Sequence, residues 1–361
     1  MVKKGELNIS IGTILMFLLT LILSLFGAEQ TSEQDTNNLE QIEIIQETTN
    51  KNLELYFCPK DNCSKVFYNT IAKAKKEINC ALHEFDDYNT STLLVEKVNQ
   101  GIKVNLIIEN KYIDEHGLDP IKNNLNSSNN KINFKSDTGS KLMHHKFCVV
   151  DNKITLTGST NPTPNGLYKN NNNMLVIYSE NIAKNYNKEF NENLNQNKFQ
   201  KKKSDFDFPK LNLTTPNNNQ SYLIDVEMCP SEQCRTKTLN ILNKAQKEIL
   251  FANFVLTQND IENLLIQKAN SNITVKGVLE SRTRNSLGSR TEELNQTFPI
   301  IIDKNKNTMH HKFFIIDEQY VITGSMNPSK SGTNGNDENL IIIENKAMAL
   351  DFKEEFQNLI Q

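Results

Sequence analysis

The sequence predicts an α/β protein made of two tandem βαβαβ-type units with mixed sheets flanked by helices, preceded by one N-terminal transmembrane helix. Three observations carry this. The stretch MHHKFCVVDNKITLTGSTN, Met143 to Asn161, returns as MHHKFFIIDEQYVITGSMN, Met309 to Asn327. The hydrophobic period changes in the same order in both halves of the chain. An uncharged, mostly apolar run, Ile11 to Ala28, precedes both.

That run is just long enough to cross a bilayer core, at ~1.5 Å of rise per helical residue. Lys3 and Lys4 lie before it and Glu29, Glu33 and Asp35 after it. The positive-inside bias therefore puts residues 1–10 in the cytoplasm and exports the body of a single-pass protein. The competing reading is a cleaved signal sequence releasing a secreted chain: Gly27 and Ala28 offer a cut, although Phe26 at the −3 position opposes it. Residues 29–52 read as a polar tether in which Ile42, Ile44 and Ile45 allow a short helical turn.

The first unit, 53–196, opens with an alternating strand (Leu53 to Phe57) and a helix carrying Val66, Ile71 and Ala74. EINCALHE then reads as a buried strand, Ser91 to Asn99 as a helix and KVNLIIEN as a third strand. The second unit, 221–361, repeats the series with Tyr222 to Val226, a helix carrying Leu239, Leu242 and Ala245, EILFANFVL, Asp260 to Ala269 and TVKGVLES. This alternation predicts a largely parallel sheet with helices on both faces. KFCVVD, TLTGS and their copies KFFIID and VITGS add strands. Each unit closes on an apolar strand (Met174 to Tyr178; Leu340 to Ile343) and a polar helix (Asn181 to Asn195; Lys346 to Leu359). Between the units, 197–220 is polar, holds Pro209 and Pro216, and reads as a linker. Its basic cluster KFQKKK, Lys198 to Lys203, reads as a solvated segment, with contact to phosphate as the sharper alternative.

With 361 residues the chain can bury one large core or two medium ones. Its 40 basic and 43 acidic residues leave a net charge of −3, which argues against an obligate nucleic-acid-binding role.

The repeated stretch carries the chemistry. Each copy reads His-x-Lys-x-x-x-x-Asp and then Gly-Ser-x-Asn: His144, Lys146, Asp151, Ser159 and Asn161, then His310, Lys312, Asp317, Ser325 and Asn327, all at an offset of 166. Cleaving a phosphodiester requires a nucleophile, a proton donor for the leaving oxygen, and positive charge around phosphorus. Two histidines fill the first two roles, since imidazole titrates near neutrality. Lys146 and Lys312 supply fixed charge, and Asn161 and Asn327 neutral donors. The set calls for no metal and no cofactor.

These motifs resemble those of the phospholipase D superfamily, in particular its nuclease-like and cardiolipin-hydrolase-like branch, over residues 53–361. The resemblance implies a pseudo-twofold between the units, one active site between them in a single chain, and a covalent phosphohistidine that water or an alcohol resolves. It also implies structural roles for Asp151 and Asp317 and loop-ordering roles for Ser159 and Ser325. Glu338 lies 13 residues past Ser325, whereas Asn172 stands 13 past Ser159. In relatives such groups pair across the twofold, so Glu338 is expected to orient His144 as nucleophile and Asn172 to face His310 as general acid. The alternative is a degenerate first half with unassignable roles. An anchor favours phospholipid substrate; the short units favour nucleic acid. An inactive scaffold is the third class.

His145 and His311 fall on the opposite side of a strand and read as packing residues, and no motif surrounds His83 or His116. Cys58 and Cys63 match Cys229 and Cys234 in two Cys-Pro-x-x-x-Cys patterns. In an exported protein each pair is expected to close a disulfide; a shared four-cysteine zinc site or free thiols are the alternatives. Cys80 and Cys148 read as core.

Overall fold

Buried strand runs and capped helices alternate through the first half, and the cap residues show why each helix begins where it does. The computed structural model describes residues 43–361, apart from 128, 204–207 and 217. The expected span 11–28 and most of the tether lie outside them. Among the described residues no helix is long and apolar enough to cross a membrane.

The first half runs β1 (Ile44–Thr48), β2 (Leu53–Cys58), α1 (Cys63–Ala72), β3 (Glu77–Leu82), α2 (Tyr88–Asn99) and β4 (Lys103–Ile108). It continues through α3 (Asp119–Ser127), β5 (Asn133–Ser136), β6 (Lys146–Val150), β7 (Ile154–Gly158), α4 (Pro164–Tyr168), β8 (Asn172–Tyr178) and α5 (Glu180–Gln196). The second half runs β9 (Lys210–Thr215), β10 (Asn218–Cys229), α6 (Glu232–Asn243), β11 (Glu248–Asn253), α7 (Asn259–Asn270) and β12 (Thr274–Leu279). Then follow α8 (Thr291–Thr297), β13 (Ile300–Ile302), β14 (Lys312–Ile316), β15 (Tyr320–Gly324), α9 (Lys330–Asn334), β16 (Glu338–Glu344) and α10 (Lys346–Leu359). Asp87, Thr163, Ser179, Ser329 and Asn345 each accept a first-turn backbone N–H with the side chain, satisfying one orphan donor of the helix that follows.

Each half contributes one sheet. The first is ordered β2-β8-β7-β6-β3-β4-β5, and the second repeats it as β10-β16-β15-β14-β11-β12-β13 with β9 and β1 added at its edge. The largely parallel sheet expected from the βαβαβ alternation is in fact mixed. Within each repeated unit β3, β4 and β5, or β11, β12 and β13, run parallel, while the motif strands enter antiparallel. The motif strands follow one another through tight connections, which only antiparallel pairing permits.

The segments read as tether and linker are corrected more sharply. Ile44 and Ile45 lie in a strand, not a helical turn, because β1 pairs in parallel with β9 inside the stretch taken as linker. β9 then forms an antiparallel ladder with β10, burying Leu211 and Leu213. Phe199 and Phe208 are buried as well.

Three apolar clusters follow from this layering. Two lie outside the sheets, one per half, under α1 and α2 or α6 and α7. The third joins the halves: Phe147 and Ile177 from the first sheet meet Phe313 and Ile341 from the second, together with Tyr186 and Phe190 of α5 and Phe352 and Phe356 of α10. Burial of this shared face, at ~25 cal/mol per Å² of apolar surface, holds the two histidine motifs in one body.

Disulfides join Cys58 to Cys63 and Cys229 to Cys234, so neither pair is left for a shared zinc site. A third joins Cys80 to Cys148 across neighbouring strands β3 and β6; both are core residues, but they are bonded rather than merely packed. The positions equivalent to these two in the second half are Phe251 and Phe314, whose rings lie 5.6 Å apart.

Candidate active site

β6 and β14 start at the motif lysines, and the residues just before them are stitched to the opposite half. His144 donates its backbone N–H to the carbonyl of Asp337 (2.9 Å), and His310 donates its own to the carbonyl of Asn171 (2.8 Å). Asp337 and Asn171 immediately precede β16 and β8, so the first residue of each strand is delivered to the histidine of the other half.

Those first residues are Glu338 and Asn172. His144 Nδ1 lies 2.7 Å from Glu338 Oε2, and both side chains are buried. His310 Nδ1 lies 2.9 Å from Asn172 Oδ1 and 3.1 Å from the carbonyl oxygen of Ser159. A carbonyl oxygen only accepts, so His310 carries its proton on Nδ1 and leaves Nε2 bare. Asn172 is oriented by its own network: Ser159 donates its hydroxyl to Oδ1 (3.0 Å), and Nδ2 donates to the carbonyl of Gly166 (3.2 Å). Ser325 likewise donates to Glu338 Oε2 (2.7 Å), and Asn336 Nδ2 donates to Oε1 (3.2 Å).

The glycine before each serine is required. Gly158 and Gly324 have φ of +135° and +128°, and a Cβ on either would sit 2.4 Å from the carbonyl oxygen of Asn173 or Asn339. Lys146 Nζ donates to the carbonyl of His144 (2.8 Å) and Lys312 Nζ to that of His310 (2.9 Å), leaving further protons on each ammonium. Asn161 and Asn327 each hold a side-chain oxygen with no hydrogen-bond partner among the described residues.

The motif aspartates lie elsewhere. Asp151 accepts from the backbone of Lys75, Lys76 and Glu77, and Asp317 from that of Gln246, Lys247 and Glu248, clamping the turn after β6 or β14 to the start of β3 or β11. Strand alternation turns His145 and His311 away from the site, where Nε2 meets Glu189 of α5 (3.0 Å) or Glu355 of α10 (3.1 Å).

Burial dominates the electrostatics. It pushes both His144 and His310 well below the ordinary imidazole range, with Lys146 and Lys312 adding repulsion. Lys146 is pushed down to about 8 by burial, and Lys312 is lowered well below its usual value by burial and by Lys146. Burial raises Glu338 to about 7, opposed by Lys146 and by the Ser325 and Asn336 donors. Four cationic or potentially cationic groups thus resist charging in each other's company, an arrangement that an arriving anion relieves.

His83 is a residue the motifs did not reveal. It is buried, its ring centroid lies 4.5 Å from that of His144, and neither ring nitrogen has a hydrogen-bond partner among the described residues, Glu84 Oε1 standing 3.6 Å from Nδ1. Its equivalent at an offset of 171 is Phe254, packed 4.9 Å from His310. Aligning the halves residue by residue would have exposed the substitution.

The fold and site define a class: duplicated α/β proteins whose halves each bring an imidazole and a buried ammonium to one shared centre. Residues 67–194 and 238–360 each match the family described as "Cardiolipin synthase, PLD-like domain", and the chain belongs to this phospholipase D-like family. It is similar to a mitochondrial cardiolipin hydrolase of Chlamydomonas reinhardtii, at 24% identity over 156 residues, 42% of this chain and 70% of that one. A phospholipase D of Rickettsia conorii is 25% identical over 199 residues, 51% of this chain and 94% of the relative. In fold it resembles the phosphatidylserine synthase of Haemophilus influenzae, with a TM-score of 0.64 at 13% identity over 86% of each chain.

Proposed function

We propose that the protein is a metal-independent phosphodiesterase of phospholipase D type that hydrolyses phospholipids through a phosphohistidine on His144. The observation that carries this reading is the asymmetry behind the two imidazoles, a carboxylate on His144 Nδ1 and an amide with a carbonyl on His310 Nδ1. A carboxylate there makes Nε2 of His144 the stronger nucleophile. Nε2 attacks phosphorus, the bond to the leaving oxygen breaks, and that oxygen takes a proton from His310. The anionic diester raises the proton affinity of His310, so the acid form is assembled with the substrate. His310 then takes a proton from water, the water oxygen attacks phosphorus, and the P–N bond breaks to free His144. Lys146 and Lys312 hold the non-bridging oxygens, aided by Asn161 and Asn327; removing one such donor typically costs ~10²-fold or more.

The names of the sequence relatives, cardiolipin hydrolase and phospholipase D, support a phospholipid substrate. Three bonded cysteine pairs support an oxidising compartment, consistent with a single-pass anchor at 11–28 and an extracytoplasmic catalytic region. One chain supplies both half-sites, so we read the catalytic unit as monomeric. The test is turnover of bis(p-nitrophenyl) phosphate in the presence of chelator, with phosphatidyl lipids and single-stranded DNA assayed in parallel. Turnover of DNA alone would reassign the substrate, and none on any diester would leave an inactive scaffold.

Two predictions arise here. Anion capture needs protonated Lys146, whose proton affinity is depressed to about 8. kcat/KM therefore falls as pH rises through about 8, and on the acid side it falls through about 7, where Glu338 takes up a proton and loses its pull on His144, which itself stays neutral below the ordinary imidazole range. A profile flat to pH 10 would contradict this. His83, held neutral by burial, offers one donor to the bound diester. His83→Phe copies the Phe254 side and should raise KM about tenfold while kcat changes less than about threefold; an unchanged KM would remove His83 from the site.

A further inference from the structure

We propose that the segment Arg282 to Arg290, with Lys304 and Lys306 beside it, is a lip by which the second half docks the site onto an anionic lipid surface. This rests on the phospholipid reading above and specifies how such a substrate is met.

The two halves carry the same lip in opposite chemical versions. Each starts from a buried glutamate that accepts the backbone N–H before the catalytic histidine, Glu109 from Met143 and Glu280 from Met309, both at 2.7 Å. From there the first half reads KYIDEHGLD, Lys111 to Asp119, one lysine against Asp114, Glu115 and Asp119. The second reads RTRNSLGSR, Arg282 to Arg290, three arginines and no acid. The tip residues are equivalent, His116 in the first and Leu287 in the second, and Leu287 is fully exposed at 101%. Behind the lip, Lys304 and Lys306 are exposed where the first half has Thr138 and Ser140.

Arg290 is neutralised by Glu293 (2.5 Å), and Arg282 is spent on Thr308 Oγ1 (2.5 Å) and the Lys306 carbonyl (3.1 Å). Arg284 is exposed with no side-chain partner among the described residues. These ties also fix the lip at the site, because Thr308 lies two residues before His310 and Thr283 Oγ1 donates to the carbonyl of Phe254, whose ring packs on His310. A bare leucine tip flanked by unspent cations suits an interface with an apolar interior and anionic headgroups. Nucleic acid would use the cations but offers nothing for an aliphatic tip.

The chain has no tryptophan, so Leu287→Trp in the full chain gives a fluorophore at the tip alone. Vesicles of phosphatidylcholine mixed with phosphatidylglycerol should blue-shift its emission, pure phosphatidylcholine should do so much less, and high salt should weaken the effect. Because the apolar run at 11–28 is common to every variant, the shift reads the lip itself. The double variant Leu287→Asp, Arg284→Glu should lower vesicle-lipid turnover by about tenfold or more with soluble-diester turnover unchanged. No shift on anionic vesicles, a shift given only by single-stranded DNA, or an equal loss on the soluble diester would overturn the lip. Absent turnover of every diester by the unsubstituted protein would instead overturn the phosphodiesterase, and the emission shift would still report on docking.

Discussion

His144→Ala is expected to abolish diester turnover, by at least ~10⁴-fold, because the attacking nitrogen is removed and no neighbouring group replaces it. Glu338→Gln should lose ~10²-fold, since an amide behind His144 copies the Asn172 arrangement and forfeits the carboxylate's pull on Nδ1–H. Asp151→Asn should leave kcat within a few-fold and lower stability instead, because Asp151 holds three backbone N–H groups of the turn before β3 and touches no imidazole. Steady-state kinetics beside urea melts separates the three. Loss of turnover in Asp151→Asn without loss of stability would contradict the division of roles.

The largest stability effect is expected at Lys203. Its ammonium is buried, 2.9 Å from Glu189 and 3.4 Å from Asp337. Glu189 also meets His145, and the backbone carbonyl of Asp337 holds His144. One cation thus serves two buried carboxylates. Lys203 and His145 keep Glu189 low despite its burial, whereas burial and Glu189 hold Asp337 well above the usual carboxylate range. Lys203→Met leaves an uncompensated carboxylate in the core and should cost ~3–5 kcal/mol. Urea unfolding should show a lower midpoint at unchanged slope, partly restored by adding Glu189→Gln, which removes the uncompensated charge. A cost under ~1 kcal/mol would mean that the cluster relaxes or hydrates.

Much of this was legible in the sequence because a duplication reads itself twice. His144, Lys146 and Asn161 and their copies sit at one offset, and Glu338 and Asn172 follow each serine at equal distance. The strand-helix order of each unit showed through its hydrophobic period. What stayed hidden lacks either a copy or a local signal. β1 exists only through pairing between residues 166 apart, as in Ile44 with Lys210, and β9, which also pairs with β10, offers just Leu211 and Leu213 between two prolines. Lys203 looks solvated in a run of lysines, and only the fold carries it to Glu189. Cys80, Cys148 and His83 have phenylalanines as counterparts, so repetition could not mark them.

The central claim is that one imidazole, that of His144, becomes phosphorylated while His310 serves as acid. Rapid quenching of turnover under alkaline conditions, followed by tryptic mapping, reads it directly, since the histidines fall in distinct peptides, Leu142 to Lys146 and Asn307 to Lys312. The account predicts phosphate on His144 of the first peptide, accumulating further in His310→Ala supplied with a substrate whose leaving group needs no proton. Phosphate on His310, or turnover with neither peptide ever labelled, would contradict it.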